Sequence, residues 1–403
     1  MEQTRQLSFY IPKHGKEKIT LRIPDSHSLH ICPAACGRRN GIRAIKNGEK
    51  DHVSFLYLTQ TDLISGGYEA QVGDAVEELL RVIRPRPRAF QLYVNCVDDF
   101  LGTDEAALVA ELEARFPDLR FAVFHIDPVA GEANIKPGMR MHAQLFTFLR
   151  PMPKDCGINF IGNFASLHPD CELFSILEHW GVGPVREIFH CRDYAAYEEM
   201  AKSRLNLVLM QMGEYAAQQL HKRLGIPYLY QPAAYRLDSF AEYYTALAEA
   251  LERPLPDLSS YRSAAQAEIA ATRQALGPRR IIVDSGATMR PFSMARALLE
   301  YGFSVQAVFA PHLKDMDGED RSWVEQAHPE VAVLQREGYQ DILGYRFGRD
   351  CLCIGFDSAF LLKANHFVDM YHDEGFYGYH GLCRLMQEMR GAMEKTANWE
   401  AAT

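Results

Sequence analysis

Several absences narrow the class of this chain before any motif is read. There is no run of about 18 apolar residues, so nothing in it reads as a membrane-spanning helix. The opening stretch, MEQTRQLSFYIPKHGKEK, has no apolar signal-peptide core, and the expected location is the cytoplasm. Clustered Lys and Arg are missing from a chain of net charge −9, which argues against nucleic acid as a partner. Neither a G-x-G-x-x-G fingerprint nor a Walker A loop is present, so nucleotide binding by this chain has little support. Low-complexity segments and short-period repeats are missing too. Nine cysteines is an odd number, and cytoplasmic thiols stay reduced, so no disulfide framework is expected. No C-x-x-C pair of the zinc-ribbon or ferredoxin kind occurs among them.

What is present is a globular composition, 47% apolar and 24% charged, over 403 residues, enough for two or three domains. Three blocks repeat one grammar: apolar run, small-residue loop, amphipathic helix, which is the βα unit of a parallel sheet. In the first, strands are expected at 52–58, 89–96 and 120–127, and helices at 73–85 and 103–116, the latter with Thr103 as N-cap. In the second, strands at 157–164 and 204–211 alternate with helices at 170–181 and 214–225. A long amphipathic run, 238–275, leads to the third. There, strands at 279–286, 303–312 and 351–358 and helices at 291–302 and 378–393 are expected. RPMPK at 150–154 reads as a linker. Ligands in such sheets bind beyond the carboxyl ends of the strands. That directs attention to Cys96 and to the loops after Asn163, Asp284 and Gly355.

The segment HICPAACGRRNG, residues 30–41, puts Cys32 and Cys36 in what reads as a Gly/Pro-marked loop. Cys96 belongs to the same block. Soft thiolates on exposed loops suit iron–sulfur clusters or zinc, but a C-x-x-x-C spacing alone equally fits a reduced, half-buried pair. Arg38 and Arg39 suit a negative cluster or an anionic substrate, or ordinary surface charge. Asp98 and Asp99 are loop acids, more often solvated than catalytic. Cys351 and Cys353, alternating on a buried strand, are expected on opposite faces and therefore not on one metal. DSGATMRP, 284–291, resembles an anion-binding loop at a helix start. His372 and His380, among Tyr371, Phe376, Tyr377 and Tyr379, form an aromatic, proton-capable run that suits a substrate cavity or a packed core.

Several segments together resemble the nitrogenase component 1 superfamily. LHICPAACG is similar to the family's His–Gly–Pro–x–Gly–Cys segment, with Cys36 on its cysteine. YVNCVDDFLGTD is similar to the next cysteine segment, with Cys96 on that cysteine. TDLISGGYEAQVGDAVEELL, GINFIGNF, LNLVLMQMGEYAAQQLHKRLGIPYL and EGFYGYHGLCRLMQEM follow in the family's order. The resemblance implies an α/β chain of three Rossmann-like domains with open, mainly parallel sheets: 1–154 with the cluster cysteines, 155–276, and 277–403 with a C-terminal helix returning toward the first. It implies Cys32, Cys36 and Cys96 as ligands of a 4Fe–4S iron–sulfur cluster, with a fourth ligand from a partner subunit or an oxygen donor. Arg38 and Arg39 would serve that cofactor, and His372 and His380 would be catalytic.

Three departures from the family pattern stand out. Its earliest cysteine has no counterpart in residues 1–31, and Cys32 replaces a family glycine. Leu209 falls near the cysteine that anchors the large cofactor of true nitrogenases. Val368, flanked by His366 and His372, falls near that cofactor's histidine. The implied activity is that of a nitrogenase-like oxidoreductase subunit. It would pair with a paralogous or identical subunit, as in a heterotetramer, take electrons from an ATP-dependent iron–sulfur reductase, and reduce a small molecule or tetrapyrrole. The alternative is a non-catalytic scaffold for assembling a nitrogenase-type metal cofactor.

Overall fold

A computed structural model describes residues 22–95, 98, 101–126, 137–163, 165–310, 317–335, 348–373 and 375–399, without the side chains of Arg39, Ile126, Pro137 and Gln335. Among the described residues no helix is long and apolar enough to cross a membrane.

The chain begins β1 (Ser26–Cys32), α1 (Ala34–Lys46), β2 (Val53–Tyr57), α2 (Gln60–Ser65), α3 (Glu69–Val82) and β3 (Ala89–Asn95). It continues α4 (Glu105–Arg115), β4 (Arg120–Ile126), α5 (Pro137–Gln144), β5 (Ile158–Ile161), α6 (Glu172–His179) and β6 (Val185–Arg186). Then come α7 (Tyr194–Glu198), β7 (Leu205–Val208), α8 (Glu214–Leu224), β8 (Tyr228–Tyr230), α9 (Leu237–Leu251) and α10 (Ser259–Leu276). The last part is β9 (Arg280–Asp284), α11 (Pro291–Glu300), β10 (Ser304–Ala310), α12 (Gly318–Ala327), β11 (Ala332–Gln335), β12 (Leu352–Ile354), α13 (Phe356–Leu362), β13 (His366–Val368) and α14 (Gly378–Ala392).

These strands build three open sheets, ordered β2-β1-β3-β4, β6-β5-β7-β8 and β11-β10-β9-β12-β13. Every neighbouring pair is parallel, as the expected α/β class requires. The central strands are buried on both faces, and most of their residues are apolar, the pattern of a covered parallel sheet. INFI and LNLV are buried at every position.

Among the described residues, those of 22–163 with 182–230 form one compact unit, and those of 165–181 and 231–399 another. Within the first unit, Val72, Val76 and Leu80 of α3 pack on Leu29, Ile31, Phe90 and Leu92 of the first sheet. Phe90 is fully buried, and a side chain of that size stabilises by about 1.5–3 kcal/mol. A second cluster of the same unit joins Ala122 and Phe124 of β4 to Ile161 of β5 and Val208 of β7. In the second unit, Ile282, Ala307, Phe309, Cys351, Cys353 and Ala359 form the core of the third sheet, with Trp399 against it.

Four local expectations are corrected. The stretch expected to be a loop around Cys36 is the start of helix α1, with Pro33 at its N-cap. Asp104, not Thr103, caps α4 by accepting the Ala107 N–H at 2.9 Å, while the Thr103 hydroxyl lies 3.1 Å from the Tyr68 hydroxyl. The run 238–275 is two helices, because Pro254 and Pro256 interrupt it between α9 and α10. Cys351 and Cys353 share one face of the sheet, with their sulfurs 4.0 Å apart. A strand's period of two puts residues i and i+2 together, so the expectation of opposite faces misreads the pleat.

Candidate functional site

Cys32 is the last residue of β1, an inner strand of the first sheet. Pro33 then turns the chain into α1, and the Cys36 N–H returns to the Pro33 carbonyl at 2.9 Å. Two thiols thus bracket a strand-to-helix turn at the carboxyl end of the sheet. Cys32 is buried and Cys36 exposed. Burial, and then the neighbouring Cys36, push the Cys32 thiol up to about 11, so alone it is protonated at neutral pH. A bound cation reverses that balance and favours the thiolate.

Gly37 explains how the thiol fits. A Cβ there would lie 2.9 Å from Tyr57 Cε1, 3.0 Å from Phe55 Cδ1 and 3.2 Å from Cys32 Sγ. Only a residue without a side chain lets α1 approach β2 and the Cys32 sulfur this closely. Below the thiol, His30 is sandwiched between Phe55 and Tyr93, with ring centroids 5.2 and 4.7 Å away. Burial pushes its imidazole down to about 4, so it is neutral packing rather than a charge.

Register carries the site across to β3. His30 pairs with Tyr93, so the end of β1 at Cys32 lies level with the end of β3 at Asn95. Cys96 follows Asn95 and lies outside the described residues, as does Asp99. Arg38 is exposed on α1; Arg39 lies on the same helix, its side chain outside the described set.

In the second unit, buried carboxylates of the chain fill the helix N-termini at the strand ends. Asp284, closing β9, accepts the Gly286 N–H at 2.5 Å and the Ser358 N–H, in the first turn of α13, at 2.6 Å. Burial, and then Asp357, push its carboxyl up to about 6. Asp317 accepts the Phe292 and Ser293 N–H groups at the start of α11, at 2.5 and 3.2 Å. Glu172 accepts the Tyr379 and His380 N–H groups at the start of α14, at 2.6 and 3.0 Å, and the Tyr244 hydroxyl at 2.8 Å. DSGATMRP is therefore not an open anion cradle: the donors that would hold a phosphate at α11 are already taken.

His372 and His380 have different surroundings. His372 adopts φ 45°, and its N–H donates to the Gly286 carbonyl at 3.1 Å, next to Asp284 and its loop. Asp373, at φ 63°, donates its N–H to Ala287 O at 2.8 Å and accepts the Tyr235 hydroxyl. His380 stacks on His168 with centroids 4.8 Å apart, and burial, then His168, push its imidazole down. Tyr377 and Tyr379 are core residues. Tyr377 donates its hydroxyl to Gln231 Oε1 at 2.9 Å, and Tyr379 packs edge-on to Phe240 at 4.9 Å. They form part of the packing around α14, the packed-core alternative of the two the sequence allowed.

A family model described as "Nitrogenase component 1 type Oxidoreductase" matches residues 14–394. The chain belongs to that family. The solved structure described as "Nitrogenase Cp1 at pH 6.5" is similar, with TM-score 0.70 and 16% identity over 93% of this chain and 90% of that chain. "Nitrogenase Cp1 at pH 5" gives 0.63 and 15%, over 94% and 87%. At these identities the likeness is one of fold. Comparison with curated proteins finds no match.

Leu209, which the resemblance expected near a cofactor cysteine, is a buried aliphatic residue whose N–H donates to Ile161 O at 2.9 Å. Val368 is buried on β13. His366, beside it, faces the carbonyls of Ala392 and Lys395 at 3.1 and 2.9 Å. Sequence reasoning missed the capping roles of Glu172 and Asp317. No local motif signals a partner so far along the chain.

Proposed function

We propose that the chain is a nitrogenase-like oxidoreductase subunit that accepts electrons from a separate ATP-dependent iron–sulfur reductase and reduces a small molecule or a tetrapyrrole. The observation that carries this reading is the pair Cys32 and Cys36 bracketing the β1–α1 turn of a component 1 family chain. The donor set fits an iron–sulfur cluster. Two soft thiols sit at the carboxyl end of the sheet, one buried and one at the surface, and Gly37 keeps a Cβ from crowding the buried sulfur. Cys32, Cys36 and Cys96 are the residues that would hold it. A partner component-1-like subunit, paralogous or identical, or an oxygen donor would complete the set. When bound, such a cluster supplies one-electron transfer.

The chain's own residues do the rest. Phe55 and Tyr93 stack on His30, two residues before Cys32 on the same strand, and Arg38 and Arg39 on α1 would add positive charge beside a negative group. His372 is the better-situated proton donor of the two histidines, because its loop abuts the Asp284 strand end. His380, at the start of α14, lies instead against His168. The lack of a Walker A loop assigns ATP to the partner. The three-domain division at 154/155 and 276/277 belongs to the same reading.

The test supplies the full chain with an ATP-dependent iron–sulfur reductase under anaerobic conditions. Reduction that requires both the reductase and ATP supports the reading. Turnover with NADPH and this chain alone contradicts it. Transfer of metal cargo to an acceptor without turnover replaces it with the scaffold role.

A further inference from the structure

We propose that Asp98, Glu105 and His125 form a mononuclear site for a divalent first-row transition ion at the carboxyl edge of the first sheet. One ligand atom from each of the three lies within 4.8 Å of the others. Bonds of about 2.0–2.2 Å to one ion allow ligand atoms to lie up to about 4.4 Å apart, so small side-chain rotations close the set.

Each residue is delivered by a different element. His125 is the penultimate residue of β4 and pairs with Val94 of β3. Glu105 opens α4, its backbone fixed by the Asp104 cap. Asp98 is 6% exposed and is held by the hydroxyl of Tyr68, itself 1% exposed. That hydrogen bond orients one carboxylate oxygen of Asp98. Burial first, and Asp98 second, hold the Tyr68 hydroxyl in its protonated form.

The charge balance points to a cation. Two carboxylates meet here, yet among the described residues neither has a Lys or Arg within ion-pair distance, and Glu105 bonds to the His125 imidazole. A divalent ion neutralises the pair where no Lys or Arg of the described residues does. The donor set of one imidazole and two carboxylates suits Mn(II), Fe(II) or Zn(II) with water completing the shell. The His125 and Glu105 side chains are 33% and 37% exposed, which leaves the open side to solvent. The site contains no thiol, and it stands independently of the function proposed above.

Mn(II) alone is the probe, because a hard ion does not compete for the chain's cysteines. The full chain is titrated with Mn(II), and free ion is read by electron paramagnetic resonance. One ion per chain is expected, with affinity falling about tenfold or more in Glu105→Gln and in His125→Gln and unchanged in Cys156→Ser, an exposed thiol outside both sites. Thermal melts confirm that the variants fold; Glu105 is exposed enough that its variant decides the matter if His125→Gln is unstable. Three outcomes overturn the site: no stoichiometric uptake by the parent chain, equal affinity in Glu105→Gln, or loss of binding in Cys156→Ser.

Discussion

Glu172 Oε1 accepts the backbone N–H of Tyr379 at 2.6 Å across 207 positions of sequence. One buried carboxylate at the start of α6 therefore closes the N-terminus of α14, and its charge is stabilised by the helix dipole and two backbone donors. Gly378 makes this possible. Its φ is 62°, and a Cβ at that point would run into the Glu172 carboxylate.

Two substitutions follow from that contact. Gly378→Ala is expected to destabilise by about 1–3 kcal/mol from its positive φ alone, more once the Glu172 carboxylate is displaced. Glu172→Ala leaves the Tyr244 hydroxyl and two N–H groups without an acceptor, at a cost of about 3 kcal/mol or more. Urea unfolding of the two variants checks both. Stabilities within about 0.5 kcal/mol of the parent would show that the cap contributes nothing.

The Asp284 carboxyl predicts a pH dependence of definite sign. Its folded value is raised from 3.8 to about 6, so between these values the native state binds more protons than the unfolded chain. Stability from this group is then present at low pH and falls as pH rises through the window, by at most about 1.4 kcal/mol for each step of one in pH. The stability of the parent relative to Asp284→Asn should decrease from pH about 4 to pH about 6 and level off above it. A difference that does not vary with pH contradicts the assignment.

Thiol reactivity in the iron-free chain should follow burial. Cys36 and Cys156 are exposed and should be alkylated in the native state, whereas Cys32, Cys171, Cys351 and Cys353 should react only on unfolding. Mass spectrometry after a maleimide pulse reads the order. Early labelling of Cys353, whose thiol burial pushes well up, would show that the third-sheet core opens more readily than its packing indicates.

Much of the fold was legible because parallel sheets are written as local apolar runs. INFI, LNLV and RIIVD sit where the sequence places strands, and Gly225, at φ 66°, ends α8 where a left-handed cap was needed. Helix α1 was not legible. AACGRRNGIRAIK carries two glycines that read as loop, yet Gly37 is there so that Phe55 and Tyr57 can press against the helix. That contact involves residues more than a dozen positions away, and only the folded chain shows it. The thiol segment was found by its cysteines, but the roles of its neighbours were not. The caps at Glu172 and Asp317 depend on pairing distant in sequence, which periodicity cannot encode. The Cys351–Cys353 pair was legible in principle, since a period of two already puts both sulfurs on one face.

The central claim is that Cys32, Cys36 and Cys96 hold an iron–sulfur cluster. Its most direct test is iron content and visible absorption after strictly anaerobic purification of the parent chain and of the Cys36→Ser/Cys96→Ser double variant. The account predicts about four irons per cluster with broad visible absorption in the parent, as a four-iron cluster requires, and loss of both in a variant that still folds. Full iron occupancy in the double variant would contradict it.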